Sequence, residues 1–527
     1  MQEASFIELD GNSLSIDQVV AVARNDAKVK LSDDPSVSAA ITASYQVKEK
    51  LIAERLPIYG VTTGFGDSVH RQISPEKAAR LQMNMIRFMN SGTGPFVPVE
   101  VARATVLVRA NCLARGHSAV RPEILNRLLE LLNLGVAPAI REEGSVGASG
   151  DLIPLSYVAA MLAGTRQVFY KGALRNTSEV LQELGLQPLT IVSKESLAIH
   201  NGTSYMTGIA ALAAADARML AEIADLCTAM TVEVLLGIEG SFDPFIHDVA
   251  KPHPGQVRSA ARIREWLEGS RLVRKYDEVV RSEGEIGEDG YRELRIRIQD
   301  HYSIRCAPHY IGVLRDTLEW VEKWLTIEMN SSNDNPLFDV ATERVLSGGN
   351  FSGGHVGMAM DALKTAVASV GDLMDRQLEL VVDEKFNAGL TPNLISRSVA
   401  SGSEAGLHHG FKGMQLCCSS LVAEALNRCM PMTVFSRSTE CHNQDKVSMG
   451  ATAARQARAV VELVQKAAAI HLLALCQAAY LRGPEKLGRT RKVYDKIREH
   501  VPPVEGDREM DVDIEKVLDL IKKGELF

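Results

Sequence analysis

The chain has 527 residues, of which 46% are apolar, 24% charged and 5% aromatic, and its 58 Lys and Arg against 66 Asp and Glu leave a formal charge of −8. That balance predicts a globular protein with a large aliphatic core built from helices, and it argues against a general nucleic-acid surface. The eight cysteines form no Cys-x-x-Cys pair, Met1 to Asp10 does not read as a signal peptide, and no run of about 18 uncharged apolar residues occurs; reduced thiols, a cytoplasmic setting and no membrane contact are expected.

In chain order, a short strand or turn at Phe6–Leu9 precedes two helices before residue 57, the first opening at Ser15 or Asp17. Tyr59-Gly60-Val61-Thr62-Thr63-Gly64-Phe65-Gly66 has too many glycines for a regular element and reads, on its own, as a surface loop. A helix over 76–94 follows Pro75 and ends at Gly92-Thr93-Gly94, with Asn84, Phe88 and Met89 on one face. Helices at 97–115 and 121–134 flank the turn 115–122.

The next stretch, Gly144-Ser145-Val146-Gly147-Ala148-Ser149-Gly150-Asp151-Leu152-Ile153-Pro154-Leu155-Ser156, is a tight turn feeding a helix over 154–164. A connecting loop is the plain reading. An anion cradle lacks both the Lys-Ser/Thr pair of a P-loop and the strand of a dinucleotide fingerprint. A third reading is chemical: the Gly150 nitrogen attacks the Ala148 carbonyl, and loss of water, including the Ser149 hydroxyl, leaves 4-methylidene-imidazol-5-one (MIO), an electrophile made from the chain itself.

Further on, Val168–Gly172 reads as a hairpin. Met206, Ile209, Leu212, Ala213, Met219, Leu220, Ile223 and Leu226 recur at three and four residues, predicting one helix over 203–239. His247 and His253 invite a zinc reading, but no third ligand has suitable spacing, so no metal is expected. Residues 274–294 read as a charged, mobile surface segment, and a helix at 312–330 ends in the Asx-rich turn before Pro336. Helical stretches at 355–383, 410–428 and 445–481 call for a bundle, and two short amphipathic helices follow residue 483.

The stretch from Gly144 to Ser156 resembles the signature of the MIO-dependent aromatic amino acid ammonia-lyases and aminomutases, nearest to bacterial-type phenylalanine ammonia-lyase. Other motifs follow in the family's order. Tyr59–Gly66 resembles the lid whose tyrosine is the catalytic base. Phe88 and Met89 stand where the family sets ring selectivity: phenylalanine lyases are apolar there, tyrosine lyases carry His first and histidine lyases are polar. An apolar wall cannot satisfy a buried hydroxyl or imidazole, so the pair implies an unsubstituted ring. Lys194–Thr203 is similar to Lys-Glu-Gly-Leu-Ala-x-x-Asn-Gly-Thr, which gives Asn201 the support of the prosthetic ring and the amine, and Leu197 and His200 the ring pocket. Ser196 departs from Gly and His200 from Leu or Met. A lone histidine among apolar residues is more often structural, yet one that reached the ring could accept a hydroxylated substrate.

Gln299-Asp300-His301-Tyr302-Ser303-Ile304-Arg305-Cys306-Ala307-Pro308 resembles a further family motif, with Arg305 as a clamp on the α-carboxylate, Tyr302 beside the prosthetic group, Gln299 in the substrate site and His309 in place of Gln. Without the motif, Arg305 reads as a helix-entry ion pair. Asn335 would orient the carboxylate or the loop, and Gly354 stands where Gln is frequent. Phe411–Gln415 contributes Lys412. Glu440–Asp445 resembles Glu-x-x-Asn-Gln-Asp/Asn, placing Glu440 near the amine, Gln444 near the prosthetic group and Asn443 beside them; otherwise it reads as a solvated charged turn.

The resemblance implies a mainly α fold of the ammonia-lyase/fumarase-like architecture: an MIO-bearing N-terminal domain over 1–200, a long-helix bundle over 201–482 and a helical tail over 483–527. It also implies a homotetramer whose active sites draw on three chains, with MIO from Ala148, Ser149 and Gly150 and no external cofactor. The expected reaction is L-phenylalanine to trans-cinnamate and ammonia. Alternatives are a tyrosine ammonia-lyase, a phenylalanine or tyrosine 2,3-aminomutase, a histidine ammonia-lyase and a non-catalytic helical scaffold.

Overall fold

A computed structural model describes residues 6–527; the first five residues, on which part of the signal-peptide expectation falls, lie outside the described residues. The fold is mainly helical, with its few short strands in sheets of two or three. The described residues form two compact units, one of residues 6–215, 321–361 and 431–458, the other of residues 216–320, 362–430 and 459–527. The division at 200 and 482 remains a reading of the sequence.

The first unit is built around the helix Val99–Ala114. Every residue from Val101 to Ala114 is buried, including Arg103, Arg109 and Asn111, so this helix is core on all sides rather than amphipathic. The helix Ile16–Arg24 packs on it, opened by a capping box in which Ser15 Oγ accepts from the Gln18 amide and Gln18 Oε1 accepts from that of Ser15. Strands Ile7–Leu9 and Val29–Leu31 pair in parallel, and Gln167–Tyr170 with Ala173–Asn176 forms the expected hairpin. The second unit holds the helices Pro254–Leu267, Lys412–Asn427, Arg491–Arg498 and Asp511–Lys523. In it Arg315 binds both Glu222 and Asp225, which pairs a buried cation with carboxylates.

Most helices lie within a few residues of their expected bounds; the helix expected over 203–239 ends at Val234 and that expected over 312–330 begins at Ala307, and two further differences have visible causes. The helix expected to run from 76 to 94 ends at Met89. Asn90 stops it by donating from Nδ2 to the Ile86 carbonyl at 2.8 Å and to Ser156 Oγ at 3.0 Å, and Thr93–Phe96 becomes a strand against Arg141–Glu143. The helix expected from 445 begins at Gly450, because the residues before it bind the 144–151 turn.

The eight cysteines are free thiols. Among the described residues no group of three His, Cys, Asp or Glu could hold a metal ion. His247 is instead bound through Nε2 to the Ser241 carbonyl and through Nδ1 to Gln256. The helix Gly450–Arg482 is long and apolar enough to cross a membrane, but 83% of its apolar window is buried in the protein, as in a core helix.

Candidate functional site

The turn 144–151 is held from behind by backbone. Gly150 has φ +70°, and a Cβ there would lie 2.1 Å from the Gly202 carbonyl oxygen, so only glycine fits. The Gly202 amide donates to the Ser149 carbonyl at 3.1 Å, and the Asp151 amide donates to the Gly202 carbonyl at 2.7 Å. On the other side, the Met449 amide donates to the Val146 carbonyl at 3.0 Å, and Ser448 Oγ donates to that of Gly147 at 3.2 Å. The Ser149 side chain is left to Gln444, whose Nε2 donates to its Oγ at 3.4 Å.

Asp151 anchors the turn to the helix Ser204–Val234. Its fully buried carboxyl accepts from Ser145 Oγ at 2.8 Å and from the Met206 amide at 2.9 Å. Burial pushes this carboxyl up to about 7, because the hydrogen bonds only partly replace lost water.

Tyr59 is half-buried, and its hydroxyl oxygen accepts from the Gly66 amide at 2.9 Å, folding its loop back on itself. Burial raises the phenol above its ordinary value; the Gly66 hydrogen bond opposes this and the Glu440 charge adds to it. Gln82, fully buried, ties the loop down, donating to the Gly60 carbonyl at 2.8 Å and accepting from the Leu197 amide at 3.1 Å. Glu440 reaches the same loop, accepting from the Asp67 amide at 3.0 and 3.1 Å. It stands in a run of three left-handed residues, Glu440, Cys441 and His442.

Asn201 is buried, and its Oδ1 has no partner in this chain. Its carbonyl accepts from Arg109 Nη1 at 2.8 Å. Leu197 and His200 are also buried, one helical turn apart on the helix Glu195–His200. His200 Nδ1 lies 2.6 Å from the Ser196 carbonyl, which can only accept. The proton is therefore on Nδ1, and the buried Nε2 is a bare acceptor without a partner. Burial depresses this imidazole to about 4, keeping it neutral.

Phe88 is 54% exposed and tilted against Phe65, with ring centroids 6.5 Å apart; Met89 is partly buried. Asn335 Oδ1 accepts from the Gly348 amide at 2.8 Å. Neighbouring Asp334 forms a fully buried pair with Lys194 at 2.6 Å. Asn443 is exposed on the turn that Glu440 begins.

Gln299, Tyr302, Arg305 and Lys412 belong to the second unit. Arg305 and Gln299, with His309, line a cavity of about 1260 Å³. The Arg305 guanidinium lies 4.5 Å from the ring centroid of Tyr302, which is 70% exposed, and its Nε donates to the Asp300 carbonyl at 3.2 Å. Lys412 is exposed at the start of its helix.

Sequence pattern alone does not single out Gln82, Arg109 or the Lys194–Asp334 pair. Gln82 and Arg109 read as polar positions on helices, which also suit a surface, and Lys194 and Asp334 stand in polar stretches that read as turns.

A model of the aromatic amino acid lyase family matches residues 14–499. The chain is 39% identical to the histidine ammonia-lyase of Symbiobacterium thermophilum over 517 residues, 98% of this chain and 96% of that one. It is 40% identical to the MIO-dependent tyrosine 2,3-aminomutase of Streptomyces globisporus over 531 residues, 99% of this chain and 96% of that one. The crystal structure of the tyrosine aminomutase from that organism superposes with a TM-score of 0.93 at 37% identity, covering 99% of this chain and 98% of that one. These relatives are named for histidine and tyrosine rather than phenylalanine, so the ring specificity rests on this chain's own residues. A match along nearly the whole length, in sequence and in fold, makes this chain a carbon–nitrogen lyase of the aromatic amino acid lyase family.

Proposed function

We propose that the enzyme removes ammonia non-oxidatively from an aromatic L-amino acid, converting L-phenylalanine to trans-cinnamate, with an MIO group formed from Ala148, Ser149 and Gly150. The observation that carries this reading is the backing of Ser149 and Gly150 by Gly202. Backbone bonds fix both residues where no Cβ fits at Gly150, and Asn201 Oδ1 is buried without a partner. The residues therefore fit the group, which supplies an electrophile for the substrate amine and makes it a better leaving group.

The chain's own residues do the remaining work. Tyr59 takes the β-proton, and its raised phenol means that the base form grows in as pH rises. Asn201, Glu440 and Asn443 hold the amine end, and Gln444, which donates to the Ser149 hydroxyl before that hydroxyl is lost, stands beside the prosthetic group. Arg305, Asn335, Gln299 and Lys412 hold the carboxylate end, and Tyr302 passes protons. Phe88, Met89 and Leu197 take the ring and exclude water. In the proposed cytoplasmic homotetramer each active site draws on three chains, and orientation supplies much of the rate.

A second reading is favoured by His200. Its buried bare Nε2 would gain a donor from a ring hydroxyl and none from benzene, which favours tyrosine. The test is absorbance in the cinnamate and coumarate bands during separate incubations with L-phenylalanine, L-tyrosine and L-histidine. A rise with phenylalanine alone supports the apolar pocket. A rise with tyrosine that disappears in His200→Leu establishes the second reading. A β-amino acid found by chromatography identifies an aminomutase, and no product from any of the three ends the proposal.

A further inference from the structure

Arg109 lies in the core helix of the first unit, fully buried. Among the described residues it forms no ion pair, and its Nε and Nη2 have no hydrogen-bond partner. Arg103, on the same helix, has Asp26 and two backbone carbonyls around it. A buried guanidinium without a counter-charge is costly, so a core that merely needed filling would be better served by an apolar side chain.

The single bond Arg109 makes is directional. Nη1 donates to the Asn201 carbonyl at 2.8 Å, and the same peptide unit carries the Gly202 amide, which donates to the Ser149 carbonyl at 3.1 Å. A Cβ at Gly202 would lie 2.1 Å from Nη1, so glycine lets the cation approach this closely. A peptide whose oxygen binds a cation becomes a stronger donor at nitrogen, and a dry, low-dielectric setting enlarges the effect.

We propose that Arg109 is a positioning residue for prosthetic-group formation: acting through the Asn201–Gly202 peptide, it withdraws electrons from the Ser149 carbonyl and promotes dehydration of Ser149. In that step the Ser149 Cα–H electron pair becomes the Cα–Cβ double bond as the Cβ–Oγ bond breaks. The proton and the hydroxide leave together as one water, and no oxidant is needed. A more strongly polarised carbonyl makes the neighbouring Cα–H more acidic. The cation is thus kept where charge develops during maturation.

This inference rests on the proposed cyclisation of Ala148, Ser149 and Gly150, and the experiment separates the two. Wild type, Arg109→Lys, Arg109→Gln and Ser149→Ala are followed by intact mass at intervals after synthesis, with melting temperature as a check on folding. Wild type loses two waters and Ser149→Ala does not; a wild-type mass with both waters retained overturns the cyclisation itself. Gln keeps a donor for the Asn201 carbonyl but drops the charge, and is expected to mature roughly tenfold more slowly or worse. Lys keeps the charge and is expected to mature within roughly threefold of wild type. Maturation of Arg109→Gln at the wild-type rate overturns the proposal. So does a folded Arg109→Lys that fails to mature, which decides the matter even if Arg109→Gln does not fold.

Discussion

The two glycine-rich loops of the first unit are held differently. The 144–151 turn takes main-chain bonds from segments distant in sequence, Gly202 on one side and Ser448 and Met449 on the other, with the Asp151 carboxyl added. The 59–70 loop has main-chain bonds to its immediate neighbours, the Gly64 amide to Arg71 and the Ile73 amide to Thr62, and is tied to distant segments by the Gln82 and Glu440 side chains, with the Tyr59 hydroxyl folding it on itself. Backbone cannot step aside without unfolding its neighbours, whereas a side chain can rotate away. The first arrangement suits a segment that must be preorganised for chemistry on its own atoms, the second a segment that must open and close over a substrate.

The largest expected contrast is between a glycine from each loop. In Gly150→Ala the new methyl meets the Gly202 backbone at 2.1 Å, and we expect a loss of about 3–5 kcal/mol in denaturant unfolding with no loss of water by mass. In Gly66→Ala the methyl meets only the end of the Glu440 carboxylate, at 2.2 Å, which can swing away; the remaining cost is the left-handed backbone, about 1–2 kcal/mol, with maturation intact. Equal costs would erase the distinction. Next in size is Tyr59→Phe, which removes the hydroxyl that folds the lid. The proposed base role predicts a fall of about 10²–10⁴ in kcat, while one lost hydrogen bond costs only about 1 kcal/mol of stability. Because burial raises the phenol, wild-type activity should climb with pH on the alkaline side, and the residual activity of Tyr59→Phe should lack that limb.

Both loops were legible in the sequence because glycine spacing and a run of motif residues are local signals. Most helices were legible for the same reason: the three-and-four recurrence from Met206 to Leu226 needs no tertiary knowledge, and the helix Ser204–Val234 follows it. The end at Met89 was not, since it depends on Asn90 finding Ser156, far along the chain. What holds the loops was equally hidden. Gln82 sits on a short amphipathic helix where a polar residue suggests solvent, and Arg109 reads as the polar stripe of a helix that is in fact buried all round. Buried polar residues take their meaning from partners that local pattern cannot name.

Asp151→Asn probes the locked loop by pH. The folded carboxyl is held at about 7 against an ordinary 3.8, so the fold favours its protonated form. This stabilising term is complete below about pH 4, declines as pH rises towards 7 and is absent above it. Asn imitates the neutral acid, with its amide towards Ser145 and its oxygen accepting from Met206, and does not titrate. At about 1.4 kcal/mol per pH unit, the variant should gain about 2–4 kcal/mol on wild type between pH 4.5 and 8 in denaturant unfolding. A pH-independent difference would mean that the fold does not raise this carboxyl above its unfolded value.

Glu440→Gln should give the smallest effect and the one most confined to the latched loop. Glu440 is exposed, so its bonds to the Asp67 amide contribute about 1 kcal/mol or less, and Gln keeps one acceptor. Global stability should stay within about 0.5 kcal/mol. Limited proteolysis within 59–72 should quicken about two- to fivefold, while cleavage at 144–151 stays unchanged, because local opening follows the strength of the local latch. The substitution also removes a negative charge that raises the Tyr59 phenol after burial has done so. Phenolate then forms more readily, and the alkaline limb of the rate profile should move to lower pH. Faster nicking without that movement would mean that Glu440 latches the lid but does not govern its base; movement without faster nicking would assign the latch to Gln82 and the Tyr59 hydroxyl alone.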